Sequence, residues 1–178
     1  MSEANFSLAE ARALLARTPA MLEAWLRDLP AAWLDCDEGA QTWSPRVVVG
    51  HLIEAERFDW IPRVEHLLRH GEAVAFPPFD RFSQLAHAQR PLAEELQRFA
   101  QLRAESLSAL DALQLTAEHL GRRSTHPEFG VVTLEQHLST WVVHDLTHVS
   151  QIARVMARRY AHTVGPWRQY LRVLNELP

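Results

Sequence analysis

Apolar residues recur at intervals of three and four, rather than two, along almost the whole chain, which is the repeat of a helix with one buried face. Ser7 is placed to cap a first helix running through Leu15 to Leu29, restarted or kinked at Thr18-Pro19, where Pro19 has no amide hydrogen, and stopped by Pro30. Ser44-Pro45 combines an N-cap with a proline at the first helical position and opens a second helix that Gly71 closes. Unbroken, that helix would be about 39 Å long, and Pro62 is expected to bend it. Phe76-Pro77-Pro78-Phe79-Asp80 cannot be helical and makes the first substantial connection. A third helix follows from near Pro91 to about Leu113, with Leu92, Leu96, Phe99, Leu102, Leu107 and Leu110 as its stripe. The stretch from Gly121 to Val132 reads as irregular. Thr133, with Gln136 placed for a capping box, opens a fourth helix reaching about Tyr160. Gly165-Pro166 leads into a short terminal helix carrying Trp167, Tyr170, Leu171 and Leu174. The expected fold class is all-α: a four-helix bundle with a short additional C-terminal helix, one domain over residues 1–178.

Composition narrows the chemistry. The 178 residues are 47% hydrophobic and 22% charged, with no apolar run long enough for a membrane span. Eighteen basic against 22 acidic side chains leave a net charge of −4, which offers no basic field for nucleic acid. All 18 basic residues are arginine, so a phosphate-loop lysine and Schiff-base chemistry are excluded. Cys36 is the lone cysteine, which rules out an intrachain disulfide or a cysteine-rich metal site. With no basic-plus-apolar leader before Leu8, a cytoplasmic location is expected.

Helical geometry sorts the ten histidines. On the fourth helix Leu138, Trp141, Asp145, His148, Ile152 and Val155 share one face, and His144 precedes His148 by four, so both imidazoles project inward from adjacent turns. On the second helix Val48, His51, Ala55 and Phe58 form a similar stripe that turns His51 inward. A pair of histidines at i and i+4 suits a divalent ion, with the third ligand supplied by another element. His137 is the rival ligand. Asp145 and Gln151 are candidates to orient imidazoles, with ordinary helix polarity as the alternative. His144-Asp145-Leu146-Thr147-His148 departs from the metalloprotease HExxH because Asp replaces the Glu base. Glu54 and Glu56 could act as acid or base, although a solvated helix face accounts for both. His66, His70, His87, His119, His126 and His162 receive no role.

These motifs together resemble the DinB/YfiT-like superfamily: Trp43-Ser44-Pro45 followed by Val48, His51-Leu52-Ile53 and Glu56; the HDxxHxxQI pattern from His144 to Ile152 with Arg154; and Gly165-Pro166-Trp167-Arg168-Gln169-Tyr170-Leu171. The resemblance implies an up-down-down-up bundle, often a homodimer, and a metal site whose ligands carry over to His51, His144 and His148. It implies zinc first, with nickel or another divalent ion as alternatives, and a reaction that uses bacillithiol, mycothiol or glutathione. The expected function is therefore a metal-dependent thiol S-transferase acting on a small-molecule thiol and an electrophile, with a metal-dependent hydrolase or a non-catalytic metal-binding stress protein as alternatives. Cys36 should be dispensable, and Arg154 could attract a cofactor carboxylate or make a surface ion pair. Metal occupancy is expected to fall as pH drops through the imidazole range.

Overall fold

In the computed structural model, which describes residues 5–87 and 90–175, the four expected helices are present and the first two are each divided. Ser7 Oγ accepts the Glu10 amide at 3.3 Å and opens α1 (Leu8–Leu15). The helix then breaks and restarts as α2 (Thr18–Leu26). Pro19 explains the break: it has no N–H to offer the Leu15 carbonyl. That carbonyl is not left unpaired, because Arg103 Nη1 donates to it at 2.9 Å. Pro30, expected as a stop, instead precedes a single turn, α3 (Ala31–Leu34); α2 has already ended at Leu26, and Asp28 takes φ +60°.

Ser44 caps α4 (Pro45–Phe58) and Gly71, at φ +57°, ends α5 (Trp60–His70). The interruption between them lies at Asp59, with φ −109° and ψ −69°, and not at Pro62. A proline disturbs the carbonyl four residues earlier, here that of Phe58, so the distortion appears upstream of the ring. Phe58, expected inward, is 53% exposed as a result of lying at this break.

The third helix, α6 (Leu92–Ala112), keeps its expected bounds, and its stripe is buried except at half-buried Leu102. After a short turn, α7 (Ala117–Leu120), the segment expected to be irregular forms an antiparallel hairpin of β1 (Arg123–His126) and β2 (Gly130–Thr133), which corrects the all-α reading. Strands this short leave too few positions for a period-two pattern to register. The Phe76 amide donates to Thr125 O at 2.9 Å and ties the proline-rich connection to this hairpin. Thr133 and Gln136 make both bonds of the capping box and open α8 (Leu134–Arg158). The expected terminal helix is two 3-10 turns, Gly165–Tyr170 and Arg172–Leu174. Only Leu174 is buried there, and one anchor does not offset the cost of nucleating a full helix. Among the described residues no helix is long and apolar enough to cross a membrane.

Two apolar clusters fill the bundle. One gathers around Trp60, Leu138 and Trp141, the other around Leu52, Phe99 and Ile152. Arg103 of α6 lies where they meet, with its guanidinium 5.0 Å from the Phe99 ring centroid and 5.2 Å from that of Trp141. It is 1% exposed. Its nitrogens donate to Glu56 Oε1 of α4 at 2.8 and 3.0 Å and to both Asp145 oxygens of α8 at 2.7 and 3.0 Å, and Trp141 Nε1 adds a bond to Glu56 Oε1 at 3.2 Å. One cation thus joins α1, α4 and α8 to α6. Removing it would strand two carboxylates in the core, so Arg103→Met is expected to cost about 3–5 kcal/mol in urea unfolding. Adding Glu56→Gln and Asp145→Asn should recover much of that loss. A single substitution costing under about 1 kcal/mol, the range of an exposed ion pair, would contradict this account.

Candidate metal centre

His51 projects from α4, and His144 and His148 from α8, onto one point. His144 Nε2 lies 3.1 Å from His51 Nε2 and 3.2 Å from His148 Nε2. His51 and His148 are buried and His144 is half-buried. Burial depresses all three: His51 falls from the ordinary 6.5 to about 3, aided by the charges of His148 and Arg81, and His144 falls to about 2, aided by His148 and His51. His148 is also lowered by burial, partly offset by its bond to Gln151. The rings are therefore neutral at physiological pH.

His148 Nδ1 donates to Gln151 Oε1 at 2.8 Å, which leaves Nε2 with a free lone pair. His144 Nε2 has one hydrogen at most and two close nitrogen neighbours, so it cannot satisfy both contacts. The buried Nδ1 atoms of His51 and His144 have no hydrogen-bond partner among the described residues. A cation resolves the convergence: three nitrogens on one tetrahedral ion at about 2.0–2.1 Å stand roughly 3.3 Å apart. The donor set thus fits a borderline divalent ion such as zinc or nickel.

Aromatic rings enclose the cluster. The Trp43 centroid is 4.8 Å from that of His51 and 6.2 Å from that of His148, Phe79 is 5.9 Å from His51, and Trp60 is 5.0 Å from His144. The three histidines open onto a cavity of about 500 Å³ bounded by α4, α5, α8, the Phe76–Arg81 connection and the hairpin. Its other polar lining includes Asp59, Arg63, Arg81, His126 and Glu128.

Other sequence candidates are placed differently. His137 Nε2 donates to the Trp60 carbonyl at 3.1 Å, which takes this nitrogen out of competition for an ion, and burial lowers the ring to about 4. Gln151 orients His148 as expected. Asp145 orients no imidazole; Arg103 takes both its oxygens. Glu54 and Glu56 are not solvated: both are 4% exposed, Glu54 pairing with Arg57 at 2.8 Å and Glu56 with Arg103. Arg154 makes an ion pair with buried Glu38, at 2.8 Å, and Arg158 joins it at 2.6 Å. Hydrogen bonding from Arg154 holds Glu38 below the usual carboxylate range. Cys36 Sγ donates to Trp33 O, and burial pushes its thiol up, so it is no ready nucleophile. Sequence reasoning missed Asp59, Arg63, Arg81 and His126. Asp59 lies at a helix break, Arg81 in a loop and His126 at the end of a four-residue strand, all beyond the reach of periodicity.

The DinB superfamily model matches residues 14–152, most of the chain. The chain belongs to the DinB superfamily. Its fold is similar to that of YfiT from Bacillus subtilis, with a TM-score of 0.74 and 23% identity, covering 90% of this chain and 93% of that one. YfiT is described as a probable metal-dependent hydrolase with an unusual four-helix bundle topology. No curated protein matches the chain.

The depressed imidazoles give a sign to acid sensitivity. Between pH 6.5 and about 3 the unfolded chain binds protons that native His51 and His144 refuse, so stability rises with pH across this interval. Chelator-treated protein should lose stability steadily on acidification from pH 6.5 to 4, by urea midpoint. A midpoint flat over that range would contradict neutral buried rings. This also moves the expected window for metal loss: protons compete for native His51 and His144 only near pH 3 and below, so release above that should accompany unfolding.

Proposed function

We propose that this DinB superfamily member holds one divalent ion, zinc first, on His51, His144 and His148, and uses it to transfer a small-molecule thiol to an electrophile. Three neutral imidazoles leave the full charge of such an ion in place, so when bound it would acidify a water or thiol and polarise an electrophilic oxygen. The observation that favours a thiol is Asp145. In HExxH enzymes the acidic residue between the two ligands serves as general base; here Arg103 holds both oxygens of the corresponding residue in the core. A thiol, ordinarily at about 8.5, gives up its proton far more readily than water at about 15.7, so it depends less on a base beside the ion, and that proton is then available to the alkoxide of an opened epoxide. Gln151 fixes the His148 ring, the aromatic rings exclude bulk water, and the cavity admits a small molecule of the usual ligand size.

Hydrolysis is the second reading, favoured by the description of YfiT and by Asp59. This carboxyl lines the cavity and is raised by burial against the pull of Arg63, the direction that a proton donor to a leaving group requires. The up-down-down-up connectivity belongs to the same family reading. Its support is the pairing of Arg12 with Asp111 and Leu15 with Arg103, which runs the first helix against α6, and of Arg46 with Arg90 and Glu56 with Arg103, which runs α4 alongside it. A cytoplasmic location and a homodimer complete the proposal; light scattering at 20.4 kDa across all concentrations would reject the dimer.

Elemental analysis is expected to find about one divalent ion per chain, lost in His144→Ala and His148→Ala. Retention of wild-type metal by both variants would overturn the site. An epoxide or haloarene should be consumed only with added bacillithiol, mycothiol or glutathione, equally by wild type and Cys36→Ala and not after chelation. Metal-dependent ester cleavage without thiol would favour hydrolysis, and no metal-dependent turnover across a broad panel would reject catalysis.

A further inference from the structure

Besides the three histidines, the cavity is lined by two arginines and two carboxylates in very different states. Arg63 is 7% exposed, paired with Asp59 at 2.8 Å and donating to Pro77 O at 3.2 Å, so its charge is committed to the framework. Among the described residues Arg81 has one salt-bridge partner, Glu128, at 2.6 Å, and both side chains are 56% exposed. The pair spans two loops, one before α6 and the other the hairpin turn, at the cavity rim. An ion pair so exposed is screened by water and contributes little, so Glu128 is readily exchanged for another anion. Arg81 nonetheless lines the cavity itself, beside His126 and Glu128.

Apolar surface surrounds this cation. Phe129 stacks on His126 with centroids 4.5 Å apart and planes 14° apart, yet is 71% exposed. Phe82, 63% exposed, meets the edge of Trp43 at 6.3 Å. Core packing accounts for neither exposure, and aromatic surface around a cavity mouth is what an apolar ligand would cover.

We infer that the cavity selects an apolar, ring-sized substrate bearing a single carboxylate, which Arg81 receives in exchange for Glu128 while the body of the molecule lies against the aromatic wall toward the histidines. One exchangeable guanidinium suits a monoanion; a phosphate dianion would call for a second uncommitted cation. The planar fork of arginine matches both oxygens of a carboxylate. This inference rests on the reading of the cavity as the substrate site and adds the substrate class.

The test is calorimetric binding of 2-naphthoate and 2-naphthamide to the protein as purified and again after chelation. Charged hydrogen bonds of this kind correspond to a preference of about tenfold or more for the acid, and that preference should survive chelation. Arg81→Gln should abolish it without altering the melting temperature, and Glu128→Gln should tighten the acid while leaving the amide unchanged. Equal binding of acid and amide would overturn the inference. So would an acid preference that ignores Arg81 and disappears on chelation, since the carboxylate would then sit at the metal. An Arg81-dependent preference in protein that fails the turnover assays would uphold this site while rejecting the reaction, so the two failures are distinguishable.

Discussion

A single buried guanidinium holds the site-forming helices together. Arg103 reaches α1 through the Leu15 carbonyl, α4 through Glu56 and α8 through Asp145, with Trp141 closing the set. The desolvation of three charges in an apolar core is offset only when each is well paired, and that requirement fixes the spacing of α4 against α8. Those two helices carry the three histidines. The break at Pro19 contributes as well, since it releases the carbonyl that Arg103 uses.

This clamp shapes the chemistry as well as the fold. Asp145 lies between two candidate ligands in sequence, where a carboxylate could serve as base, and Arg103 keeps it in the core. What faces the cavity is three neutral nitrogens, an aromatic enclosure and, further out, the mixed charges of Asp59, Arg63, Arg81 and Glu128. The site is rich in lone pairs for a cation, and the withdrawal of Asp145 into the core is the observation on which the proposed use of an external thiol rests.

Much of this was legible in the helical stripes. Leu138, Trp141, Asp145, His148, Ile152 and Val155 are all buried, as one face of a single helix requires, and the same reasoning turned His51 inward from α4. Arg103 was legible in principle: it follows Phe99 by four and precedes Leu110 by seven on the buried stripe of α6, a position where an unpaired charge could not survive. What the spacing could not show is which carboxylates answer it, because Glu56 and Asp145 come from other helices. The hairpin escaped because its strands are four residues each. Arg81, Glu128 and Phe129 escaped because loops position them, and His126 because it ends a strand too short to show a period. The break at Asp59 shows a subtler limit, since a proline names a helix defect while its steric consequence falls nearly one turn earlier.

The most direct test of a three-histidine centre built between α4 and α8 is anomalous diffraction from crystals grown with cobalt(II). The account predicts one strong peak per chain about 2.1 Å from Nε2 of His51, His144 and His148. No peak there, or a peak at the surface pair His66 and His70 instead, would contradict it.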